Sequence, residues 1–201
     1  MNPTQPAEGA RQGLRERKKA RTRFAIQQEA LRLFREQGYG ATTVEQIAEA
    51  AEVSPSTFFR YFQTKDALVL TDDYDPIMVE RFRAQPPGLG AVASFRAALR
   101  ETFTDMPQDQ LDAAEERNAL ILSVPELRAA FAHFMISSMR QVIELVAERS
   151  ARSTEDPEVV AATGAVMGIL LSSMLLGGRN MQELLNVIDE QLGHLETGFT
   201  L

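Results

Sequence analysis

The fold of this chain is decided by one stretch, Val53-Ser54-Pro55-Ser56-Thr57-Phe58-Phe59-Arg60-Tyr61-Phe62. Ser54 followed by Pro55 is typical of a helix start, because serine caps free N–H groups and proline is tolerated at the first helical position. Phe58 and Phe62 lie four residues apart and therefore share one face of the short helix that follows. Since so short a helix is marginal on its own, that face must pack on neighbouring helices.

Two such neighbours precede the stretch. A helix from about Arg15, with Gly38 as its C-terminal cap, is predicted by apolar residues at helical spacing: Ile26, Ala30, Leu33 and Phe34. A second, short helix is predicted by a similar set: Val44, Ile47, Ala48 and Ala51. Thr42 and Thr43 can each begin it, because a glutamate or glutamine stands three residues after each, as in a capping box. Two short helices joined by Glu52-Val53 match a helix-turn-helix, which places the start of its second helix in the DNA major groove.

The start of that second helix is built to approach DNA. Its first residues are small or polar, so the backbone can come close while hydroxyls and free N–H groups bond phosphates or base edges: Ser54, Pro55, Ser56 and Thr57. If Phe58 and Phe62 face the core, the other faces carry Phe59, Arg60 and Tyr61. The Arg60 guanidinium either reads guanine, holds a phosphate or is solvated.

Charge is distributed unevenly along the chain. The formal net charge is −7, yet residues 1–70 carry 11 basic and 8 acidic side chains, whereas the remainder carries 10 and 20. Seven basic residues stand between positions 11 and 23, among them Arg17, Lys18 and Lys19. This cluster either binds phosphate or belongs to a solvated arm. Residues 1–13 are rich in Pro, Gln, Gly and Ala without periodicity, and we expect them to form a disordered arm.

The residues around the helix-turn-helix resemble the tetracycline-repressor (TetR) family over about residues 19–69. The likeness rests on Gly38-Tyr39-Gly40-Ala41-Thr42-Thr43-Val44, Ile47-Ala48, the stretch from Val53 to Phe62, and Lys65-Asp66-Ala67-Leu68. It implies a three-helix DNA-binding domain over residues 14–63, a helical regulatory domain with a ligand cavity over residues 64–201, and a homodimer. The helix from Thr64 onward joins the two domains and is the expected lever between them.

The same resemblance implies roles for single residues. Thr43 and Lys65 would touch phosphates, and five residues would face DNA: Ser54, Pro55, Ser56, Phe59 and Tyr61. Thr42 stands in the same matching run and is a further candidate contact. The family most often has tyrosine at the position of Phe59 and histidine at that of Tyr61, so the target sequence cannot be borrowed from relatives.

After the break at 86–90 the chain reads as helices only. Helical patterns cover residues 91–104, about 108–123, 125–150, 157–178 and 181–197, and no alternating strand pattern is present, which predicts an all-α fold. Segments such as Val124-Pro125-Glu126-Leu127-Arg128 resemble regulators with acyl-CoA-like ligands, of the mycofactocin-regulator type.

Candidate residues for the wall of an effector cavity are mostly Met and Phe, although such residues also serve as plain core. They are Phe95, Leu99, Phe103, Asn118, Leu122, Phe131, Phe134, Met135, Arg140, Met167 and Met174. Arg140 or Arg117 would meet an acidic head group, or else form a surface salt bridge.

Residues 159–178 contain no charged side chain and are long enough to span a bilayer. The polar residues within this segment and the acidic residues just before it favour a buried helix instead, and we expect no contact with a membrane. Gly164, Gly168 and Ser172 recur every fourth residue and form a flat strip for another helix. Together with a second apolar stripe, Leu184, Ile188 and Leu192, they predict a four-helix bundle between two subunits, or alternatively a helix in the subunit core.

Composition excludes several other classes of protein. Without cysteine and with only two histidines, the chain has no disulfide scaffold, thiolate nucleophile or multi-histidine metal site, and we expect neither metal nor cofactor. No catalytic motif is present, so an enzyme is not expected. No export signal is read, which predicts the cytoplasm. The expected function is a ligand-responsive regulator, most simply a repressor, whose partners are double-stranded DNA, a small effector and a second copy; the alternative is a helical interaction protein with degenerate DNA binding.

Overall fold

The computed structural model describes residues 5–71, 74–176 and 180–198, apart from the side chains of residues 5–17, 74 and 75. This part of the chain contains helices and no strands, which confirms the predicted all-α class. The chain divides after Thr71 into two compact units.

Among its described residues, 5–71, the first unit contains four helices. They are α1 (Gln5–Gln37), α2 (Val44–Ala50), α3 (Pro55–Tyr61) and α4 (Ala67–Leu70). Helix α1 begins well before the predicted Arg15, so residues 5–13 differ from the expected disordered arm. Residues of high helix propensity such as Ala and Glu stand in that segment.

The core of the first unit forms where α2, α3 and α4 pack on α1. Its buried apolar side chains are Ile26, Ala30, Leu31, Phe34, Ile47, Ala48, Phe58, Phe62, Leu68 and Val69. Leu31 is buried where the periodicity predicted Leu33, which is half-buried. Glu52 in the turn between α2 and α3 has a left-handed backbone (φ 54°), and the Val53 N–H donates to the Ala48 carbonyl at 2.9 Å.

Helix α4 belongs to the first unit, so the boundary lies beyond the predicted residue 63. The Gln27 amide on α1 donates to the carbonyls of Leu68 (2.7 Å) and Thr71 (3.1 Å), which ties the end of α4 to α1. The helix predicted from Thr64 corresponds to α4, which ends at Leu70, and the Asp72 and Asp73 that follow lie outside the described residues.

The second unit contains six helices among its described residues. They are α5 (Tyr74–Ala84), α6 (Ala91–Thr104), α7 (Gln108–Ser123), α8 (Pro125–Ser150), α9 (Pro157–Leu176) and α10 (Met181–Thr197). Helix α10 packs on α6 and α9 through a cluster of buried residues: Leu99, Val166, Leu184, Ile188 and Leu192. By length and composition, α9 is the one helix of the described residues that could cross a membrane.

An ion-pair cluster fastens α6 to α10. Arg96 Nε donates to the Asp189 carboxylate at 2.9 Å, and the Arg100 guanidinium donates to both oxygens of the same carboxylate. Burial raises the pKa of Asp189, but the hydrogen bonds from Arg96 and Arg100 outweigh this effect and lower the pKa to about 2. The Asp189 carboxylate is therefore ionised at neutral pH.

Candidate nucleic-acid interface and effector cavity

Helix α3 separates a buried aromatic side from an exposed polar start. Phe58 and Phe62 are fully buried, as their spacing predicts, whereas Ser54, Pro55 and Ser56 at the start of the helix are exposed. Phe59 is 51% exposed, and Arg60 is exposed beside it. Thr57 and Tyr61, the other two predicted contacts on this helix, are half-buried.

The small residues at the start of α3 form hydrogen bonds with one another. Ser54 Oγ caps the helix by accepting from the Thr57 N–H at 3.1 Å, and it donates to Thr57 Oγ1 at 3.0 Å. Ser56 Oγ lies 2.9 Å from Ser54 Oγ. The Arg60 guanidinium lies 5.3 Å from the centre of the Tyr61 ring. Ser54 thus caps the start of the helix, while the side chains of Ser56, Phe59 and Arg60 are exposed where a ligand can contact them.

The two adjacent threonines have different surroundings. Thr43 is exposed and forms the complete capping box of α2: its Oγ1 accepts from the Gln46 N–H at 3.2 Å, and the Gln46 side chain accepts from the Thr43 N–H at 2.9 Å. Thr42 is 1% exposed, and its Oγ1 donates to the Gly38 carbonyl at 2.9 Å and accepts from the Gln37 amide at 3.1 Å. The prediction that Thr42 contacts DNA is therefore wrong, because its side chain is buried and hydrogen-bonded within the loop between α1 and α2.

Lys65 has a structural role that its sequence position did not reveal. Its Nζ donates to the carbonyls of Tyr39 (2.8 Å) and Thr42 (3.0 Å) and lies 4.1 Å from the centre of the Tyr39 ring. Two of the three ammonium N–H groups are thus engaged by the protein. One donor is left for a phosphate, so the predicted phosphate contact stays a prediction.

The basic cluster on α1 contains both exposed side chains and one that is bonded within the first unit. Lys18 and Lys19 are exposed, and the side chain of Arg17 lies outside the described residues. Arg23 instead donates to the Tyr61 carbonyl at 3.3 Å and to Thr71 Oγ1 at 2.9 Å, with its guanidinium 4.4 Å from the Phe62 ring centre. Among the described side chains of this cluster, Lys18, Lys19 and Arg21 therefore face solvent, whereas Arg23 is engaged within the first unit.

The second unit contains an apolar pocket of about 170 Å³, partly open to solvent, which we call the inner chamber. It lies among α5, α6, α8 and α9, and it has no charged lining residue. The lining comprises Met78, Val79, Phe82, Phe95, Phe134, Met135, Ser138, Gln141, Val142, Leu145, Val146, Met167 and Leu170.

A larger groove of about 520 Å³, which we call the outer groove, runs along α7, α8 and α9. Its lining comprises Ile121, Leu122, Arg128, Phe131, Ala132, Met135, Ile136, Met139, Gly164, Met167, Gly168, Leu171, Met174 and Leu175. Arg128 is its one charged lining residue, and the Arg128 guanidinium donates to the Leu122 carbonyl at 2.9 Å.

The predicted cavity residues divide between these spaces. Phe95, Phe134, Met135 and Met167 line the inner chamber, whereas Leu122, Phe131 and Met174 line only the outer groove. Leu99 and Phe103 line neither of these two spaces but a third one of about 260 Å³ between α6 and α10. Asn118 and Arg140 line none of the three, so their contact with an effector stays a prediction. Leu99 and Phe103 also pack in the cluster between α6 and α10. The α5 residues Met78, Val79 and Phe82 were missed, although their helical spacing marks one apolar face.

The predicted dimer residues differ in how exposed they are within one subunit. Gly164 and Gly168 are exposed on α9, and Ser172 is half-buried. Leu184, Ile188 and Leu192 are 8%, 7% and 0% exposed within one subunit, so the prediction that they face a partner is wrong. Their stripe packs on α6 and α9 of the same chain, which leaves almost no surface for a second copy.

Comparison with known proteins agrees with this geometry. Residues 26–71 match the family described as bacterial regulatory proteins, tetR family, and residues 89–200 match the MftR C-terminal domain. The chain is 31% identical over 170 residues to the HTH-type transcriptional regulator TcmR of Streptomyces glaucescens, covering 80% of this chain and 75% of TcmR. It is 30% identical over 167 residues to MftR of Mycobacterium tuberculosis, named as a mycofactocin biosynthesis transcriptional regulator, covering 78% of this chain and 80% of MftR.

Solved structures share the fold. A TetR-family regulator from Mesorhizobium loti superimposes with a TM-score of 0.52 at 19% identity, covering 89% of this chain and 96% of the other. The fatty acid degradation regulator FadR from Bacillus halodurans gives the same TM-score, identity and coverage. The chain belongs to the TetR family and is a DNA-binding transcriptional regulator.

Proposed function

We propose that this regulator is a cytoplasmic repressor that binds a palindromic operator as a homodimer and leaves DNA when a small apolar effector binds. The observation that carries DNA recognition is the exposed start of α3, where Ser56, Phe59 and Arg60 face solvent above a buried aromatic side. A helix presented in this way fits the major groove with its N-terminal residues at the base edges. The exposed Thr43 and the Lys18-Lys19 pair supply contacts for phosphates.

A second copy is supported by an exposed apolar strip on α9. Val160, Gly164, Gly168, Leu171 and Leu175 are all exposed, and their spacing keeps them within one face of the helix. A continuous apolar face in water is typical of an interaction site. The two glycines allow close approach of a partner helix, since a Cβ added at either position would meet nothing within 4 Å. Two recognition helices about one DNA turn apart, ~34 Å, would then read the two halves of a palindrome.

The inner chamber is the proposed effector site. Its uncharged wall favours an apolar ligand, or the apolar part of an acyl-CoA-like one, over a charged group. Release from DNA requires that the effector bind the DNA-free arrangement more tightly than the DNA-bound one.

Selection of bound duplexes from a random pool tests the proposal, with Ser56→Ala as the variant and Ser137→Ala, an exposed serine on α8, as the matched control. We expect a palindrome to be enriched, Ser56→Ala to shift the preferred bases, and Ser137→Ala to leave them unchanged. Light scattering should give about twice the chain mass of 22.3 kDa. Binding without an enriched sequence, or a mass near one chain, would contradict the proposal.

A further inference from the structure

We propose that Phe59 and Arg60 determine two bases of each operator half-site: Phe59 packs on the methyl group of a thymine, and the Arg60 guanidinium donates to O6 and N7 of a guanine. The inference rests on the proposed function, because it concerns the bases that the exposed face of α3 reads. It goes further by giving each of these two side chains one base and one set of atoms on that base.

The two side chains share one face of α3 with Ser56. Residues three and four apart are neighbours on a helix surface, so Ser56 lies one turn before Phe59 and Arg60. All three are exposed. Because Ser56 is small, the helix can approach the base edges closely at that point, and the two larger side chains then reach into the same groove.

Phe59 presents an apolar ring that the core holds in place. Its ring contacts that of Phe58 edge to face, with centres 5.4 Å apart and planes at 84°, and Phe58 is fully buried. The rest of the Phe59 ring faces solvent, since this residue is 51% exposed. The ring neither donates nor accepts a conventional hydrogen bond, and thymine is the base that offers a methyl group in the major groove. Thymine is therefore the base that fits Phe59.

Arg60 keeps its donors available for a ligand. Within the part of the chain that the structure describes, its side chain forms no hydrogen bond and no ion pair, and its guanidinium lies 5.3 Å from the centre of the Tyr61 ring. A contact with a ring orients the guanidinium without using its five N–H donors. Guanine presents two acceptors, O6 and N7, to the major groove, and their spacing matches two N–H groups of one arginine.

The position of Arg60 favours a base over a phosphate. It is adjacent to Phe59, so the face that brings the ring to the base edges brings the guanidinium to them as well. The first unit has other exposed groups for the phosphates, namely Thr43, Lys18 and Lys19. Contacts to phosphates position a protein on the duplex, whereas contacts to base edges select the sequence.

Operators with single altered atoms test the inference on the full-length protein. In the operator enriched by selection, each thymine is replaced in turn by deoxyuridine, which lacks the methyl group, and each guanine by 7-deazaguanine, which lacks the N7 acceptor. At one thymine position we expect the loss of the methyl group to weaken binding about fourfold per half-site. At one guanine position we expect 7-deazaguanine to weaken binding by about tenfold over the whole palindrome.

Variants assign each effect to its side chain. Phe59→Ala should bind the thymine and deoxyuridine operators equally, whereas Phe59→Leu, which keeps an apolar contact, should still distinguish them. Arg60→Gln should bind the guanine and 7-deazaguanine operators equally, with a salt slope like that of the parent. Lys18→Gln is the matched control: its salt slope should be smaller, because it loses a phosphate contact, and its base preferences should be unchanged.

Two outcomes would overturn the inference while leaving the proposed function in place. In the first, Phe59→Ala and Arg60→Gln respond to the altered bases as the parent does. In the second, Arg60→Gln reduces the salt slope as Lys18→Gln does and keeps the preference for guanine, which would make Arg60 a phosphate contact. A random pool that yields no enriched operator would overturn the proposed function and this inference together.

Discussion

Thr42 and Thr43 are adjacent in the chain, but the side chain of Thr42 is buried and that of Thr43 is exposed. Substituting each of them in turn should therefore separate an effect on stability from an effect on DNA affinity. We expect Thr42→Val to destabilise the first unit while the folded protein binds its operator as the parent does. We expect Thr43→Asp to weaken operator binding while the protein stays as stable as the parent.

The cost of Thr42→Val follows from its two hydrogen bonds. Valine has the shape of threonine, but it neither donates to the Gly38 carbonyl (2.9 Å) nor accepts from the Gln37 amide (3.1 Å). A hydrogen bond contributes about 1 kcal/mol net, and a buried group left without a partner costs about 1–3 kcal/mol. With Thr42 only 1% exposed, the expected loss is about 2 kcal/mol, which is roughly 1 M in the urea midpoint. Circular dichroism at increasing urea measures it.

The effect of Thr43→Asp depends on charge alone. Aspartate caps a helix as well as threonine and is favourable at a helix N-terminus, so α2 remains intact. The new carboxylate, however, would stand where we place a DNA phosphate. Operator affinity should fall by about tenfold or more at low salt, and the slope of log K against log salt should change by about one. Thr43→Asn keeps the cap without the charge and is the matched control.

Two results would refute this reasoning. If Thr42→Val weakened operator binding at an unchanged urea midpoint, its hydroxyl would contact DNA and not the loop. If Thr43→Asp bound the operator as tightly as Thr43→Asn at low salt, the start of α2 would not face the phosphate backbone.

Three further outcomes are expected. Lys65→Met removes two hydrogen bonds from an ammonium group and should cost about 2 kcal/mol in urea unfolding; an unchanged midpoint would show that these bonds add nothing. Because the pKa of Asp189 is lowered to about 2, its ion pairs stabilise the fold above about pH 4 and are lost as the pH falls towards 2. Asp189→Asn should therefore be about 2 kcal/mol less stable at pH 7, with the difference from the parent vanishing near pH 2; a constant difference across that range would refute the assignment. Gly38 has a φ of +86°, so Gly38→Ala should cost about 1–2 kcal/mol, whereas Gly40→Ala, where an added Cβ also meets nothing within 4 Å, should cost much less.

The helices of the second unit could be predicted from sequence to within a few residues, because local signals mark their ends. Residues 125–150 were predicted and α8 is Pro125–Ser150, since proline at the first helical position defines the start. The predicted bounds of α7 and α10 also agree with the structure, and the N-cap residues of these helices are Pro107 and Asn180. Asn180 Oδ1 accepts from the Glu183 N–H at 2.9 Å, which is an N-cap that neighbouring residues alone determine.

Tertiary contacts could not be predicted in this way. Thr42 and Thr43 both stand in a capping-box pattern, and only the packing of the loop on α1 decides which of them is buried. The partners of Lys65 lie more than 20 residues away in the chain. Periodicity showed that one face of α10 is buried, but it could not say that the face packs on α6 and α9 of its own subunit. The α5 side of the inner chamber could not be predicted for the same reason, because α5 and α8 are distant in the chain and meet only in the folded unit.

The free energy needed for release from DNA determines how much of an effector must be bound differently in the two arrangements of the dimer. To move a two-state regulator from 99% DNA-competent to 1%, the effector must prefer one state by about 10⁴-fold, or about 5.5 kcal/mol. Any part of a ligand that is buried equally in both arrangements adds nothing to this preference, because only a difference in affinity shifts the equilibrium. Each methylene buried in one arrangement only contributes about 0.8 kcal/mol. About seven methylenes buried in one arrangement and exposed in the other would therefore supply the whole preference.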